Sequence, residues 1–157
     1  MIVTFWPIVA AGVASVLIGW VWYHPRVFGT TWMRLANVTP EMAERGKKMM
    51  PLSVILSLCG SMLIAYVMNY VGVAFHIFDW VGAVFELALW SWLGFVVPTS
   101  LGTILWEQRP FKLYLINVLY WLVTFIAMAL ILVVGSQLSS ANSYDAQFDT
   151  GGEFLSE

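Results

Sequence analysis

The sequence predicts an all-α membrane protein: a four-transmembrane-helix bundle with an interfacial amphipathic segment between helices 1 and 2. Three observations lead there. Of the 157 residues, 61% are hydrophobic and only 10% are charged, against about 25% charged in a soluble domain, so the chain cannot coat a water-facing surface. Four apolar runs, at about 2–23, 51–71, 80–106 and 111–135, each reach the ~20 residues needed to cross ~30 Å of hydrocarbon. The seven basic residues gather between runs: Arg26, Arg34, Arg45, Lys47 and Lys48 in the first connection, Arg109 and Lys112 at the third. The length allows one domain, 1–135, followed by an acidic tail, 136–157.

The first run has no Lys or Arg before Arg26 and is longer than a signal-peptide core, so it is expected to remain as a membrane helix. Ala11, Ser15 and Gly19 recur every four residues and share one face, where small side chains let helices approach closely. Trp20, Trp22 and Tyr23 close the run as an interfacial aromatic belt. Pro25 disfavours helix at His24. Residues 24–50 are too charged to span. Val27, Phe28, Trp32, Met33 and Leu35 mixed with Arg26 and Arg34 suit a segment lying in the interface. Thr39-Pro40-Glu41 reads as a helix start: hydroxyl cap, proline in the first turn, acid at the positive end. A short surface helix from Pro40 to about Lys48 is expected.

The second run begins at Pro51. Ser53, Ser57, Ser61 and Ala65 form a small row that should pack on Ala11, Ser15 and Gly19 as an antiparallel hairpin. Cys59, the lone cysteine, excludes an intrachain disulfide and reads as a small buried packing residue. After a connection carrying His76, the third segment, Asp79 to Glu107, is placed at the centre of the arrangement. From Trp80 to Trp106 it would be ~40 Å long, so it must tilt or bend. Pro98 is the expected bend, its ring opposing the Gly94 carbonyl, with Thr99, Ser100 and Thr103 supplying hydroxyls. The fourth run, from Phe111 to Gly135, has Asn117, Tyr120 and Thr124 as polar members. The tail, rich in Ser, Asn, Asp and Gly, reads as flexible.

Orientation follows from charge. With four spans, both basic connections fall on one side. The other side has no Lys or Arg, and Asp145, Asp149, Glu153 and Glu157 lie in the tail there. The positive-inside rule then makes the basic side cytoplasmic and sends both termini outside.

Two intramembrane polar sites are candidates. Glu86 lies ~10 Å from Asp79 by helical rise, where burying a charge is costly, ~2.5–3.5 kcal/mol for Asp at a helix centre. Tyr66 and Asn69 of the second run are at its depth, and Trp90 shares its face. The expected role is a hydrogen bond to Tyr66 or Asn69; the functional alternative is a proton or cation site. The second candidate joins Asn117 and Tyr120 to Thr99 and Ser100 in the inner leaflet, with Glu107 and Arg109 at its mouth. Interhelical hydrogen bonding is the expectation there too. Trp90, Trp92 and Trp121 lie too deep for a belt; packing is expected, a site for a flat apolar ligand being the alternative. His24 and His76 fall on opposite sides and cannot share a metal, and no cofactor is called for.

Two stretches resemble a known family. WYHPRVFGTTW, Trp22 to Trp32, is similar to the signature after the first span in domain-of-unknown-function family 1761. LWEQRPFKLYLINVLYWLV, Leu105 to Val123, is similar to the start of that family's last helix. The positions carried over are Trp22, Tyr23, Pro25, Phe28, Gly29, Trp32, Glu107, Arg109 and Asn117. The resemblance implies a small bacterial four-span protein of the cytoplasmic membrane and no particular activity.

No basic patch of nucleic-acid size exists, and no nucleophile–base pair, phosphate loop or HExxH occurs. Enzyme activity is the least supported class. A self-associating scaffold, or an accessory subunit of a larger membrane complex, is the expected function, with membrane lipids and a second copy as partners. The alternative is a small-solute or proton/cation-coupled transporter or channel, working as an oligomer through Glu86 and Asn117.

Overall fold

The computed structural model describes residues 5–75, 77 and 82–152, with side chains described to residue 139. His76, Asp79, Trp80 and the acidic side chains of the tail lie outside the described residues. Every regular element described is helical: α1 (Phe5–Trp22), a π-turn (Pro25–Gly29), α2 (Thr30–Leu35) and α3 (Pro40–Ala74), then α4 (Ala83–Ser91), a second π-turn (Trp92–Val96), α5 (Val97–Ser100), α6 (Gly102–Leu105) and α7 (Phe111–Gly152). Four stretches are long and apolar enough to cross a membrane: α1, α3, α7, and the composite Ala83–Leu105.

Helix α7 runs antiparallel to α1 and to the composite Ala83–Leu105. A Cβ added at Gly135 would lie 2.5 Å from the Pro7 side chain, while at the other end of the pair Tyr23 reaches Asn117. Likewise Trp92 meets Val118 and Tyr114 meets Val97. The hub is α7, which packs against α1, α3 and α4 and has 44% of its apolar stretch buried, against 11% for α3 and 17% for Ala83–Leu105. The sequence placed the third segment at the centre; the fourth holds that position. Its inner face carries Phe125, Met128, Ala129, Leu132 and Val133, which form one core with Ile8 and Ala11 of α1, Ala65 and Met68 of α3, and Leu87 and Ala88 of α4.

The small rows do make the hairpin of α1 and α3, but over half its expected length. Ser15 and Ser61 share a hydrogen bond of 2.9 Å in a buried setting, and Ala11 and Ala65 are fully buried. A Cβ at Gly12 would approach Met62 to 2.6 Å, whereas one at Gly19 would meet Tyr120 of α7 instead. Ser53 and Ser57 are exposed. Below Ser61 the row turns to the surface while Leu58 still lies near Gly12, so a continuous row in sequence is not a continuous contact. Cys59 is also exposed, not buried. Its span is apolar on every side, and hydropathy does not distinguish a buried face from a lipid-facing one.

The surface helix and second span are one element. Thr39 caps α3 as expected, its hydroxyl accepting from the Met42 N–H at 3.3 Å, and the helix continues through Pro51 to Ala74. Proline removes one donor and crowds the carbonyl four residues back, but its φ is helical. At 35 residues, α3 is ~52 Å long, longer than the hydrocarbon is thick.

The third span breaks where proline demands it. The Val97 N–H reaches back to the Trp92 carbonyl in a π-turn just before Pro98. The Thr99 hydroxyl bonds the Phe95 and Val96 carbonyls, and that of Thr103 the Ser100 carbonyl at 2.8 Å. These are hydroxyls repairing a broken ladder. The tail region from Ser136, expected to be flexible, has helical backbone to Gly152; no glycine or proline interrupts it between Gly135 and Gly151.

Candidate functional site

The charged connections meet at one end of the bundle. Helix α1 ends because Pro25 follows His24, and His24 takes an extended conformation, its Nδ1 accepting from the Arg26 N–H at 3.2 Å. Pro25–Gly29 then winds into a π-turn closed by Gly29 N–H donating to the His24 carbonyl at 3.1 Å. Only glycine fits its last position, since a Cβ there would lie 2.2 Å from the Tyr23 carbonyl oxygen. This tight reversal folds α2 back toward the bundle, where it contacts α7. Asn37, at φ 55°, ends α2: its N–H donates to the Arg34 carbonyl and the Val38 N–H to the Met33 carbonyl, a Schellman closure.

The folded-back segment delivers its aromatic residues to α7. Asn117 Oδ1 accepts two hydrogen bonds, from Tyr23 Oη at 3.0 Å and from Trp32 Nε1 at 3.1 Å. The Trp22 indole donates to the Ile116 carbonyl at 3.1 Å. The Tyr23 ring meets Trp32 edge-on at 5.6 Å and Tyr120 at 5.3 Å, and Phe28 lies 4.7 Å from Trp22. Tyr120 in turn donates to the Ser15 carbonyl at 3.4 Å. Arg109 ties the two connections together: its guanidinium donates to the Ala36 carbonyl at 3.4 Å and lies 3.8 Å from Glu107. The result is an aromatic knot around one asparagine, with each named donor spent inside the protein.

Both sequence-derived sites are redrawn. Asn117 and Tyr120 do lie together, but Thr99 and Ser100 are not their partners; Thr99 serves its own helix. The partners are Trp22, Tyr23 and Trp32, which the sequence marked as interfacial aromatics and as positions of the resemblance, but not as partners of Asn117. A level match of the first span's end with the fourth span's start would have put them within reach of Asn117, without showing which faces meet. Glu86 sits in the first turn of α4, exposed, above a depression of about 310 Å³ lined by Leu89, Trp90, Trp92 and Leu93. Tyr66 and Asn69 are not in that lining. Asn69 is buried in the bundle and Tyr66 faces outward, 49% exposed. Trp92 is fixed by its indole N–H, which donates to the Val118 carbonyl at 2.8 Å. Trp121 packs against the core, 5.8 Å from Phe125.

Among the described residues, no group of three His, Cys, Asp or Glu could hold a metal ion. The Thr124 hydroxyl is buried and has no hydrogen-bond partner among them.

Four antiparallel helices of membrane length, closed around an apolar core, make this an all-α membrane protein. The chain belongs to the family described as protein of unknown function DUF1761, which matches residues 6–133. That range takes in the whole knot, from Trp22 to Tyr120. No curated protein and no solved structure matches the chain.

Proposed function

We propose that the protein is a self-associating membrane scaffold of the bacterial cytoplasmic membrane, its basic end in the cytosol and both termini outside. One observation carries the reading. The bundle interior is closed by apolar side chains, with the Ser15 and Ser61 hydroxyls paired inside it, while the basic half of α3 stands free of the bundle. Leu87, Met128 and Leu132 are almost wholly inaccessible at the centre. Asn117 is committed to Tyr23 and Trp32, so a solute route combining it with Glu86 would first have to dismantle the knot.

On α3, residues 51–57 are exposed all round. Gly46, Ser53 and Gly60 recur every seven residues, with Ser57 beside them, the period of a close-packed helical seam. A Cβ at Gly46 or Gly60 would meet nothing within 4 Å. Within the apolar stretch, Gly60 with the open space beside it, and Ser53 and Ser57 near it, admit a second helix backbone in lipid. The basic connections support the cytosolic placement by the positive-inside rule.

Mass measurement of the full chain in mild detergent tests the proposal. The expected result is a symmetric oligomer that Gly60→Leu converts to monomer with unchanged melting. A wild-type monomer would reject self-association.

A further inference from the structure

The depression on α4 has an order along the helix that self-association through α3 does not use. Glu86 lies at its head, in the first turn, where the positive helix end favours an acidic side chain. Leu89, Trp90 and Leu93 follow at three, four and seven residues, one stripe down the helix. Trp92 completes the wall, its ring held by the hydrogen bond to the Val118 carbonyl. Trp90 is 68% exposed and Leu93 51% exposed, so the hollow opens sideways, where lipid would lie. Its volume of about 310 Å³ falls at the lower end of small-ligand pockets, ~300–1,000 Å³. All seven Lys and Arg of the chain lie at 26–48, 109 and 112, toward the opposite end of the bundle. Among the described residues no cation pairs with the carboxylate.

The geometry points to a binding site for an amphiphilic organic cation, an ammonium or phosphonium head on an apolar body, entering from the bilayer. The head pairs with the Glu86 carboxylate near the helix start. The apolar body lies against Leu89, Trp90, Trp92 and Leu93. A carboxylate supplies the charge selectivity, and the indoles and leucines supply the apolar contact; a neutral compound of the same shape satisfies only the second.

The test uses the full chain in phosphatidylcholine nanodiscs and equilibrium binding of radiolabelled tetraphenylphosphonium. Saturable binding above protein-free discs is expected. Glu86→Gln should weaken it about tenfold or more, Glu86→Asp should retain most of it, and Trp90→Leu should weaken it severalfold. Both positions are exposed, so melting should not change. Neutral triphenylphosphine oxide should not compete. Gly60→Leu, which acts on the α3 seam, should bind as wild type, separating this site from self-association. No saturable binding, equal affinity in Glu86→Gln, effective competition by the neutral compound, or lost binding in Gly60→Leu would each overturn the site.

Discussion

Gly29 and Asn117 are the residues on which the basic end depends most. Gly29 is required by proximity: the Tyr23 carbonyl would lie 2.2 Å from any Cβ, and backbone on both sides leaves no flexible side chain to move. Gly29→Ala should cost several kcal/mol, beyond the ~1 kcal/mol of an ordinary substitution, read as a large fall in melting temperature in detergent. Melting within a degree or so of wild type would show that the π-turn reopens freely. Asn117→Leu leaves the Tyr23 hydroxyl and the Trp32 indole without their shared acceptor. The expected loss is about 1–2 kcal/mol, with a change in near-ultraviolet circular dichroism from the two rings. An unaltered aromatic signal would mean the knot does not depend on that oxygen.

Among the elements, the two ends of α3 behave differently. At its start, the Glu41 carboxyl is held below its ordinary value, first by a hydrogen bond with the Thr39 side chain and then by its own backbone. A lowered carboxyl pKa adds stability that is complete above the unfolded value near 4.5 and lost as pH falls through the folded one. Amide exchange in the first turn should therefore quicken as pH drops below that value, after correction for intrinsic rates, and Glu41→Gln should abolish the effect. A pH response surviving in Glu41→Gln would assign it elsewhere. In the third span, Thr99→Val should cost about 1 kcal/mol, because two carbonyls beside the Pro98 break lose their hydroxyl.

These elements also show what sequence can and cannot carry. Four spans follow from run length, the Thr39 cap from its hydroxyl-proline-acid order, and the break from Pro98, because each is a local property. Which face of a span is buried does not follow. Cys59, Ser57 and Ser61 lie within five residues on the uncharged stretch of α3, and only Ser61 faces the bundle. The Glu86 pairing failed for the same reason: matched depth on two helices says nothing about rotation, and Tyr66 and Glu86 both turn outward. The knot as such was not legible: Trp22, Tyr23 and Trp32 read as interfacial aromatics and motif positions, but they lie more than eighty positions from Asn117 and meet its helix through a glycine reversal.

For the whole molecule, the bundle and its association use different lengths of the same helix. Ser61→Leu should overpack the α1–α3 contact and remove the Ser15 hydrogen bond, costing about 2–3 kcal/mol. Ser57→Leu should leave the single-chain melt unchanged and weaken the oligomer. Reversed effects would place the seam inside the bundle instead.

Cysteine cross-linking along α3 tests self-association most directly. In a Cys59→Ala background, Ser53→Cys, Ser57→Cys, Gly60→Cys, Leu63→Cys and Tyr66→Cys would each be oxidised in native membranes. Disulfide dimers should form fastest at Ser53 and Gly60, more slowly at Ser57, and poorly at Leu63 and Tyr66. A uniform rate at all five positions, or a maximum at Tyr66, would contradict a dimer seated on this seam.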